Sequence, residues 1–316
     1  MSHSVYHMNF VQAIVIGLLQ GITELFPVSS LGHTVLVPSW IGGTWATLVA
    51  QESQAESPYL AFVVGLHLAT AVVLLGFYAR YWARLVAGFF RSLRRRQVVT
   101  DEERLAWLIV VATVPVGALG LVFEHQFRVL FAKPVAAALF LTANGVILLA
   151  GEQHRRRQEA RAGALALGDS PRATADRRIV PMDEASEHEL SRIGVASAAI
   201  IGASQALALL AGISREGVAM VGGLFRGLNN ENAMRLSFLL STPVILAAGA
   251  LKVPDLLGPL GDGIRPQVIA GSLAAALTSL FAVVFLSRYF RTRTLLPFAI
   301  YSLAFGLASV IRFGVF

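Results

Sequence analysis

The chain has 316 residues, of which 55% are hydrophobic and only 14% are charged. A soluble globular domain carries about 25% charged residues, so a chain this apolar lacks the polar surface to stay in solution. Its net charge of +7 would suggest a nucleic-acid partner in a soluble protein, but here the arginines cluster between apolar runs, as orientation signals of membrane proteins do. We therefore exclude nucleic acid as a partner. The absence of cysteine excludes disulfides, thiolate catalysis and cysteine-based metal sites.

Eight apolar segments follow one another along the chain, and several approach the roughly 20 residues needed to cross a bilayer. They cover residues 10–38, 58–79, 105–123, 134–150, 193–225, 233–251, 266–287 and 295–314. A polar stretch at 151–192 separates the first four segments from the last four. The sequence therefore predicts an all-α integral membrane protein with one functional domain. Its halves are 1–150 and 193–316, and they are joined by a cytoplasmic linker at 151–192.

The distribution of arginine orients these segments. Seven arginines lie within residues 80–104 and eight within 151–192, whereas residues 39–57 contain no Lys or Arg. Arg288, Arg291 and Arg293 follow segment 266–287. Because arginine-rich loops stay in the cytoplasm, the linker and the end of segment 266–287 both lie inside, so segment 193–225 must enter the membrane and return to the same side. Segment 10–38 has a similar length and a polar break, and if it also re-enters, the N-terminus lies outside. The prediction is six transmembrane helices plus two re-entrant helical hairpins in an inverted-topology repeat. The alternative, one tilted span over 10–38, loses the repeat.

The first polar patch lies inside an apolar segment, at residues 20–33. It contains an amide, an acid, a proline, two hydroxyls and an imidazole: Gln20, Glu24, Pro27, Ser29, Ser30 and His33. A charged side chain at the bilayer centre costs roughly 2.5–3.5 kcal/mol, so such residues are candidates for a functional site. Gln20 and Glu24 share one helix face. Pro27 is expected to break that helix and to leave backbone N–H groups that suit an anionic ligand.

The second polar patch lies in the apolar segment that follows the linker. It contains Gln205, Gly212, Ser214, Arg215, Glu216 and Gly217. Arg215 stays protonated and presents a planar fork suited to phosphate, and the flanking glycines allow a backbone to approach closely. Gln205 precedes Ser214 by nine residues, as Gln20 precedes Ser29, which supports the repeat.

Each charged or imidazole group also has a purely structural interpretation. Glu24 and Arg215 would pair as a structural bridge, or Glu216 would neutralise the adjacent Arg215. His33 taken alone is more typical of a packed or interfacial histidine. His67, the other histidine in an apolar segment, is a candidate for a place beside the site. The concentration of acid, hydroxyl and imidazole in one short segment favours chemistry.

Both patches resemble motifs of the undecaprenyl-pyrophosphate phosphatase family, also called the bacitracin-resistance family. The first is similar to its (Glu/Gln)-x-x-x-Glu motif followed by Pro-Val-Ser-Ser-x-Gly-His, and the second to its Pro-Gly-x-Ser-Arg-Ser-Gly motif. Residues 62–72 are similar to the span that follows the first motif. The resemblance implies the same fold and hydrolysis of undecaprenyl diphosphate to undecaprenyl phosphate and inorganic phosphate. That reaction would recycle the lipid carrier of cell-wall synthesis and give bacitracin resistance.

The resemblance also implies roles for single residues, a location and partners. Glu24, Ser30, His33 and Arg215 would be catalytic; Gln20, Ser29, Gly212, Ser214 and Gly217 would bind the substrate; Glu24 and Glu216 would hold a divalent cation, Mg²⁺ or Ca²⁺. The enzyme would be a multi-pass protein of the bacterial plasma membrane, surrounded by membrane lipids, with its site opening toward the outer face. A homodimer is left open.

Three positions depart from the family pattern. Gln20 stands where Glu is frequent, Ala211 stands for Pro, and Glu216 stands for Ser. Glu216 would either partly neutralise Arg215 or help to hold the metal instead of Gln20.

The sequence leaves alternatives open for both the nucleophile and the activity. Ser30 with His33 as base, His33 with Ser30 as its partner, and a water molecule are all candidate nucleophiles. A polyprenyl-phosphate flippase or secondary transporter is the alternative function. Inverted repeats with broken helices also build transporters, and a fold does not by itself establish an activity.

Overall fold

The computed structural model describes residues 8–52, 58–131, 133–165 and 182–314, and the regular secondary structure in these ranges is helical. The α-helices are α1 (Phe10–Leu25), α2 (Ser30–Ile41), α3 (Thr44–Glu52), α4 (Pro58–Phe77), α5 (Ala79–Arg95), α6 (Asp101–Phe131), α7 (Pro134–Leu165), α8 (Glu184–Ser191), α9 (Val195–Ser204), α10 (Arg215–Phe225), α11 (Asn230–Leu257), α12 (Arg265–Tyr289) and α13 (Leu296–Gly314). Short 3₁₀ helices cover Gln205–Leu209 and Pro259–Gly261.

Five of the described helices are individually long and apolar enough to cross a membrane. Their qualifying parts are Asp101–Phe123, Pro134–Arg161, Asn230–Leu251, Arg265–Tyr289 and Leu296–Gly314. These parts belong to α6, α7, α11, α12 and α13 and coincide with five of the predicted spans. The sixth predicted span is the apolar helix α4, which bends by 83° into α5. The prediction of an all-α, multi-pass membrane protein is confirmed.

Each predicted re-entrant segment consists of short helices separated by a break. In the first hairpin α1 ends at Leu25 and α2 begins at Ser30, so Pro27 lies in the break as predicted. In the second, α9 continues through the 3₁₀ turn to Leu209, and α10 begins at Arg215. One continuous span over 10–38 does not agree with this break.

The two halves pack against each other reciprocally. The first helix of each hairpin lies along the second span of the other half: α1 packs on α12, and α9 packs on α6. Gly17 meets Gly271, and Gly202 meets Ala112, so closely that a Cβ on Gly17 or Gly202 would lie 2.3 or 2.0 Å from a backbone oxygen. Small residues at such crossings let membrane helices approach backbone to backbone. This reciprocity is what an inverted repeat predicts, and it brings the two breaks together.

Residues 80–95 belong to the connection predicted at 80–104 from its charge, yet they form nearly all of helix α5. Its buried residues recur every three or four positions, at Tyr81, Leu85, Gly88 and Ser92, which is the spacing of an amphipathic helix. The charge count identified the arginines but ignored this periodicity.

The helical structure extends into both ends of the predicted linker. Helix α7 continues through residues 151–165, and α8 packs against α6 and α11. The Glu152 carboxylate is buried and accepts hydrogen bonds from Arg155 at 2.7 Å and Arg156 at 2.8 Å. These pairs along one helix face stabilise α7 in its polar part. Residues 166–181 of the predicted linker lie outside the described residues.

Candidate active site

Ser29 ties the two hairpin breaks together. Its Oγ accepts hydrogen bonds from the backbone N–H of Gly32 at 3.2 Å and of Gly212 at 3.1 Å. Its backbone has φ +69°, a region that non-glycine residues rarely adopt. Ser29 was predicted to bind substrate. It lines the site cavity and has a hydroxyl hydrogen left to donate, but its oxygen is occupied in holding the hairpins.

Gly212 occupies the second break because the space there admits no side chain. Its φ is +118°, and a Cβ would lie 2.4 Å from the carbonyl oxygen of Ala137 on α7. Only glycine adopts such a backbone at low cost. Gly212, which was predicted to bind substrate, thus allows the second hairpin to pack against both Ser29 and α7.

Asn144, fully buried on α7, is a second tie between the hairpins. Its Nδ2 donates to the carbonyl oxygen of Pro27 at 2.9 Å and to Ser302 Oγ at 3.3 Å, and its Oδ1 accepts from the Ser214 N–H at 3.0 Å. One side chain therefore bonds both breaks and α13. Asn144 is not among the residues predicted for the site, although a lone Asn in the apolar run 134–150 is a usable signal, because a polar side chain in a span needs partners.

Glu24 is the centre of the hydrogen-bond network of the first hairpin. Its Oε2 accepts from Gln20 Nε2 at 3.0 Å and from the Ser30 hydroxyl, and it lies 3.2 Å from His67 Nε2. All three contacts use the same oxygen, and Oε1 accepts no hydrogen bond from the described residues. Gln20, Glu24 and Ser30 are thus brought together as the sequence predicted, and His67, weighed only as a neighbour, joins them.

A small cavity lies between the two hairpins. Its lining comes from both polar patches and from α4: Glu24, Ser29, Ser30, Leu31, His67, Ala208, Ile213, Arg215 and Glu216. The expected convergence of the patches on one site is therefore seen in the structure. A concave pocket in which polar groups converge is typical of a ligand site.

Arg215 enters this cavity at the first residue of α10, and its charge is not matched by a bonded carboxylate. Its NH1 atom is buried without a hydrogen-bond partner, and the described residues give it no salt bridge to Glu24 or Glu216. The interpretation of Arg215 as half of a structural ion pair is therefore not supported. A half-buried guanidinium with unused donors is suited to a bound anion.

Ser214 caps α10 as Ser29 caps α2. Its Oγ accepts a hydrogen bond from the Gly217 N–H at 3.0 Å. Ser214 and Gly217 therefore shape the start of α10, the helix that carries Arg215. Gln205, the counterpart of Gln20, is buried, and neither end of its amide has a partner among the described residues. Gln20 bonds Glu24 four residues on, whereas Leu209 stands four residues after Gln205.

His33 lies beside the cluster with both ring nitrogens engaged. Its Nδ1 lies 2.6 Å from the Ser29 carbonyl oxygen and its Nε2 lies 2.7 Å from the Tyr301 hydroxyl. Because the carbonyl only accepts, Nδ1 carries the hydrogen, and the Tyr301 hydroxyl donates to Nε2 of the neutral ring. The ring also stacks on Tyr301. The hydrogen bond expected between Ser30 and His33 is not formed here, since the Ser30 hydroxyl donates to Glu24.

The residues present fit a cation that is shared with substrate. Glu24 and Glu216 face the same cavity, and Glu216 Oε1 is buried without a hydrogen-bond partner in the described chain. Among the described residues, no three His, Asp or Glu side chains are grouped to hold a metal by themselves. Mg²⁺ is commonly held by one or two carboxylates together with substrate phosphates and water. The donor set matches that pattern and does not form an all-protein cage.

Comparison with known sequences covers the whole site. A profile of the family described as "Bacitracin resistance protein BacA" matches residues 13–308. The chain is 53% identical to undecaprenyl-diphosphatase 2 of Frankia alni over 98% of this chain and 99% of that protein. It is 54% identical to an undecaprenyl-diphosphatase of Mycolicibacterium paratuberculosis over 96% and 97%. It is 36% identical to undecaprenyl-diphosphatase 2 of Chromobacterium violaceum over 96% and 99%.

Proposed function

Because the chain belongs to the bacitracin resistance protein BacA family, we propose that it hydrolyses undecaprenyl diphosphate to undecaprenyl phosphate and inorganic phosphate. The observation that supports this best is the cavity between the hairpins. In this cavity the Ser30 hydroxyl is hydrogen-bonded to the Glu24 carboxylate, and Arg215 has unused hydrogen-bond donors. Relatives named undecaprenyl-diphosphatase share this chain over nearly its full length.

The second hairpin would bind the diphosphate. Phosphoryl transfer depends chiefly on positioning and on stabilising charge, and the Arg215 fork can bond two phosphate oxygens at once. The positive end of α10 faces the same cavity and adds to the attraction for an anion. Gly212, Ser214 and Gly217 keep this helix start in place, and Asn144 ties it to the first hairpin.

The first hairpin would carry the chemistry. Ser30 Oγ attacks the terminal phosphorus, its proton passes to Glu24, and the bond from phosphorus to the bridging oxygen breaks with release of undecaprenyl phosphate. Water then attacks the phosphoserine. The Ser30 oxygen leaves and recovers the proton from Glu24, and the released phosphate keeps both protons of the water.

The geometry favours this assignment among the candidate nucleophiles. Ser30 already donates to Glu24, which is the hydrogen-bond contact a general base requires. His33 is bonded to Ser29 and Tyr301 instead, so we assign it to holding the break. A divalent cation bound at Glu24 and Glu216 would supply charge neutralisation on the phosphates.

The location and role follow from the same proposal. The protein would lie in the bacterial plasma membrane with its site opening toward the outer face and the lipid tail between its spans. There it would recycle the carrier of cell-wall synthesis and give bacitracin resistance.

The test is release of inorganic phosphate from undecaprenyl diphosphate by the purified protein in detergent, with and without a chelator. Wild-type protein should release phosphate, and Glu24→Ala, His33→Ala and Arg215→Ala should each abolish release while still inserting and eluting as wild type does. Near-full activity of Arg215→Ala would contradict the proposal. Detergent removes any gradient across a membrane, so a transporter or flippase would release no phosphate in this assay.

A further inference from the structure

His67 approaches the site from α4, outside both hairpins. Its Nε2 lies 3.2 Å from Glu24 Oε2, and its Nδ1 lies 2.9 Å from the carbonyl oxygen of Val63 on the preceding turn. A carbonyl oxygen and a carboxylate both only accept, so the imidazolium form of His67, with a hydrogen on each ring nitrogen, makes both contacts, and the ring plane is set by α4 itself. Nε2 is therefore aimed at the carboxylate by the helix that carries it.

The contacts of Glu24 leave its two oxygens in different situations. Gln20, Ser30 and His67 all converge on Oε2, whereas Oε1 accepts no hydrogen bond from the described residues. The terminal torsion of a Glu side chain is broad, so the carboxylate turns easily unless it is held from several directions. Gln20 and Ser30 hold it from the first hairpin, and among the described residues of α4 only His67 contacts it.

We propose that His67 is a positioning residue that fixes the Glu24 carboxylate, with Oε2 toward the Ser30 hydroxyl and Oε1 free for the substrate side of the cavity. The inference rests on the proposed function, because it assigns Glu24 as the base for Ser30. Loss of this contact should lower kcat, since the base is misplaced, and leave KM nearly unchanged, since Arg215 still binds the diphosphate.

Two amide variants separate this role from a merely structural one. Gln carries its amide nitrogen about as far from Cα as Nε2 of His, whereas Asn carries it only as far as Nδ1. His67→Gln should therefore still donate to Glu24 and keep kcat within about threefold of wild type. His67→Asn should lose about 30-fold in kcat, as expected for a lost hydrogen bond to a charged group. Thr70→Val, one turn further along α4, removes a hydrogen bond to Ser279 and is the packing control.

The outcomes are distinct from those that test the proposed function. If the wild-type protein releases no phosphate, the proposed function fails. If the wild-type protein is active and His67→Asn matches it, or if His67→Gln and His67→Asn lose kcat equally, the role of His67 is overturned. A loss seen mainly in KM would also overturn it.

Helix α5 carries an exposed apolar stripe beside a row of arginines. Helix α5 leaves the predicted span α4 at 83°, the direction expected of a helix that lies along the membrane surface. Val86, Phe90 and Leu93 are exposed by 50%, 63% and 46% and recur at helical spacing on the side away from the protein. An amphipathic helix that lies in the interface buries such a stripe among the acyl chains.

The arginines of α5 divide into two groups. Arg84 and Arg91 form salt bridges with glutamates of the protein. Arg80, Arg94 and Arg95 are exposed and form no salt bridge within the described part of the chain. We propose that these three arginines bind the phosphate headgroups of anionic phospholipids and anchor α5 on the membrane surface.

The test compares protein purified from nanodiscs of phosphatidylcholine with and without phosphatidylglycerol, with retained lipid counted by native mass spectrometry. Wild-type protein should retain phosphatidylglycerol in preference, and the triple variant Arg80→Gln/Arg94→Gln/Arg95→Gln should lose about tenfold or more of that preference. The triple variant Arg157→Gln/Arg161→Gln/Arg226→Gln, which removes the same charge from other exposed positions, should retain it. Equal retention by wild type and the α5 variant, or an equal loss in both variants, would overturn the proposal.

Discussion

The two hairpins share a serine helix cap at their breaks but carry different chemical groups beside it. Ser29 caps α2 through Gly32, and Ser214 caps α10 through Gly217, at the same spacing of three residues. The residue after each cap then differs. In the first hairpin it is Ser30, whose hydroxyl is bonded to Glu24; in the second it is Arg215, which has unused donors.

This difference shows how two similar hairpins contribute different chemical groups to one site. Two equivalent breaks meet, and under the proposed function each adds one part of the chemistry: the first would supply a hydroxyl with its acid, the second a cation for the anionic substrate. Gln20 and Gln205 show the same divergence, because only Gln20 has a carboxylate four residues on. Substitutions on the two sides should therefore have different kinetic signatures.

The largest effect is expected in the first hairpin. Glu24→Gln keeps the shape of the side chain but removes the base for Ser30, so kcat should fall about a thousandfold with KM little changed. Thr23→Val, whose hydroxyl bonds only its own helix, is the neighbouring control and should stay near wild type. Single-turnover phosphate release measures the chemical step, and a loss confined to KM would contradict the division.

The second hairpin should respond in substrate binding. Arg215→Lys keeps the charge but loses the planar fork, so kcat/KM should fall about a hundredfold, with a clear rise in KM. Arg226→Lys, at the other end of α10, is the control. An unchanged KM for Arg215→Lys would show that Arg215 does not hold the diphosphate.

Asn144 tests whether the two hairpins must be held together. Asn144→Leu leaves the Ser214 N–H and the Pro27 carbonyl without their partner, which should cost about 1–3 kcal/mol of stability and lower kcat about tenfold. Thermal unfolding in detergent and phosphate release measure the two effects. Thr142→Val, on the same helix and hydrogen-bonded to Ala138 among the described residues, should change neither stability nor kcat. Full activity of Asn144→Leu would show that activity does not require the contact between the hairpins.

Substitution of Glu216 distinguishes its two proposed roles, which are to hold a cation and to neutralise Arg215. If it helps to hold a divalent cation, Glu216→Ser should raise the cation concentration for half-maximal activity several-fold with little change in maximal rate. If it mainly neutralises Arg215, the same variant should lower KM instead. Titration of activity with Mg²⁺ after chelation measures both.

The smallest effect is expected outside the cavity. Tyr301→Phe removes the hydrogen bond to His33 Nε2 and keeps the stacked ring, so activity should stay within about threefold of wild type. A loss as large as that of His33→Ala would show that the orientation of Nε2, and not only the contact with Ser29, is required.

Much of the fold and half of the site were readable from local signals. Apolar length and arginine counts predicted the spans, and Pro27 marked the first break, because a bilayer penalises charge and broken backbone wherever they stand. The same penalty identified Glu24, Ser30 and Arg215 as site candidates. Helix α5 was missed only because its arginines were counted without their periodicity.

The partners of those residues depended on tertiary structure. From the sequence, His33 is three residues from Ser30 and is the natural base, yet helix packing turns its ring toward Tyr301 and brings His67 from α4 to Glu24. Asn144 joins residues 117 and 70 positions away along the chain. The sequence alone determined which polar groups must be buried in the membrane, because burial cost is local. Which groups satisfy one another was decided by how the two halves pack, because partners far apart in sequence meet only through the crossing and rotation of whole helices.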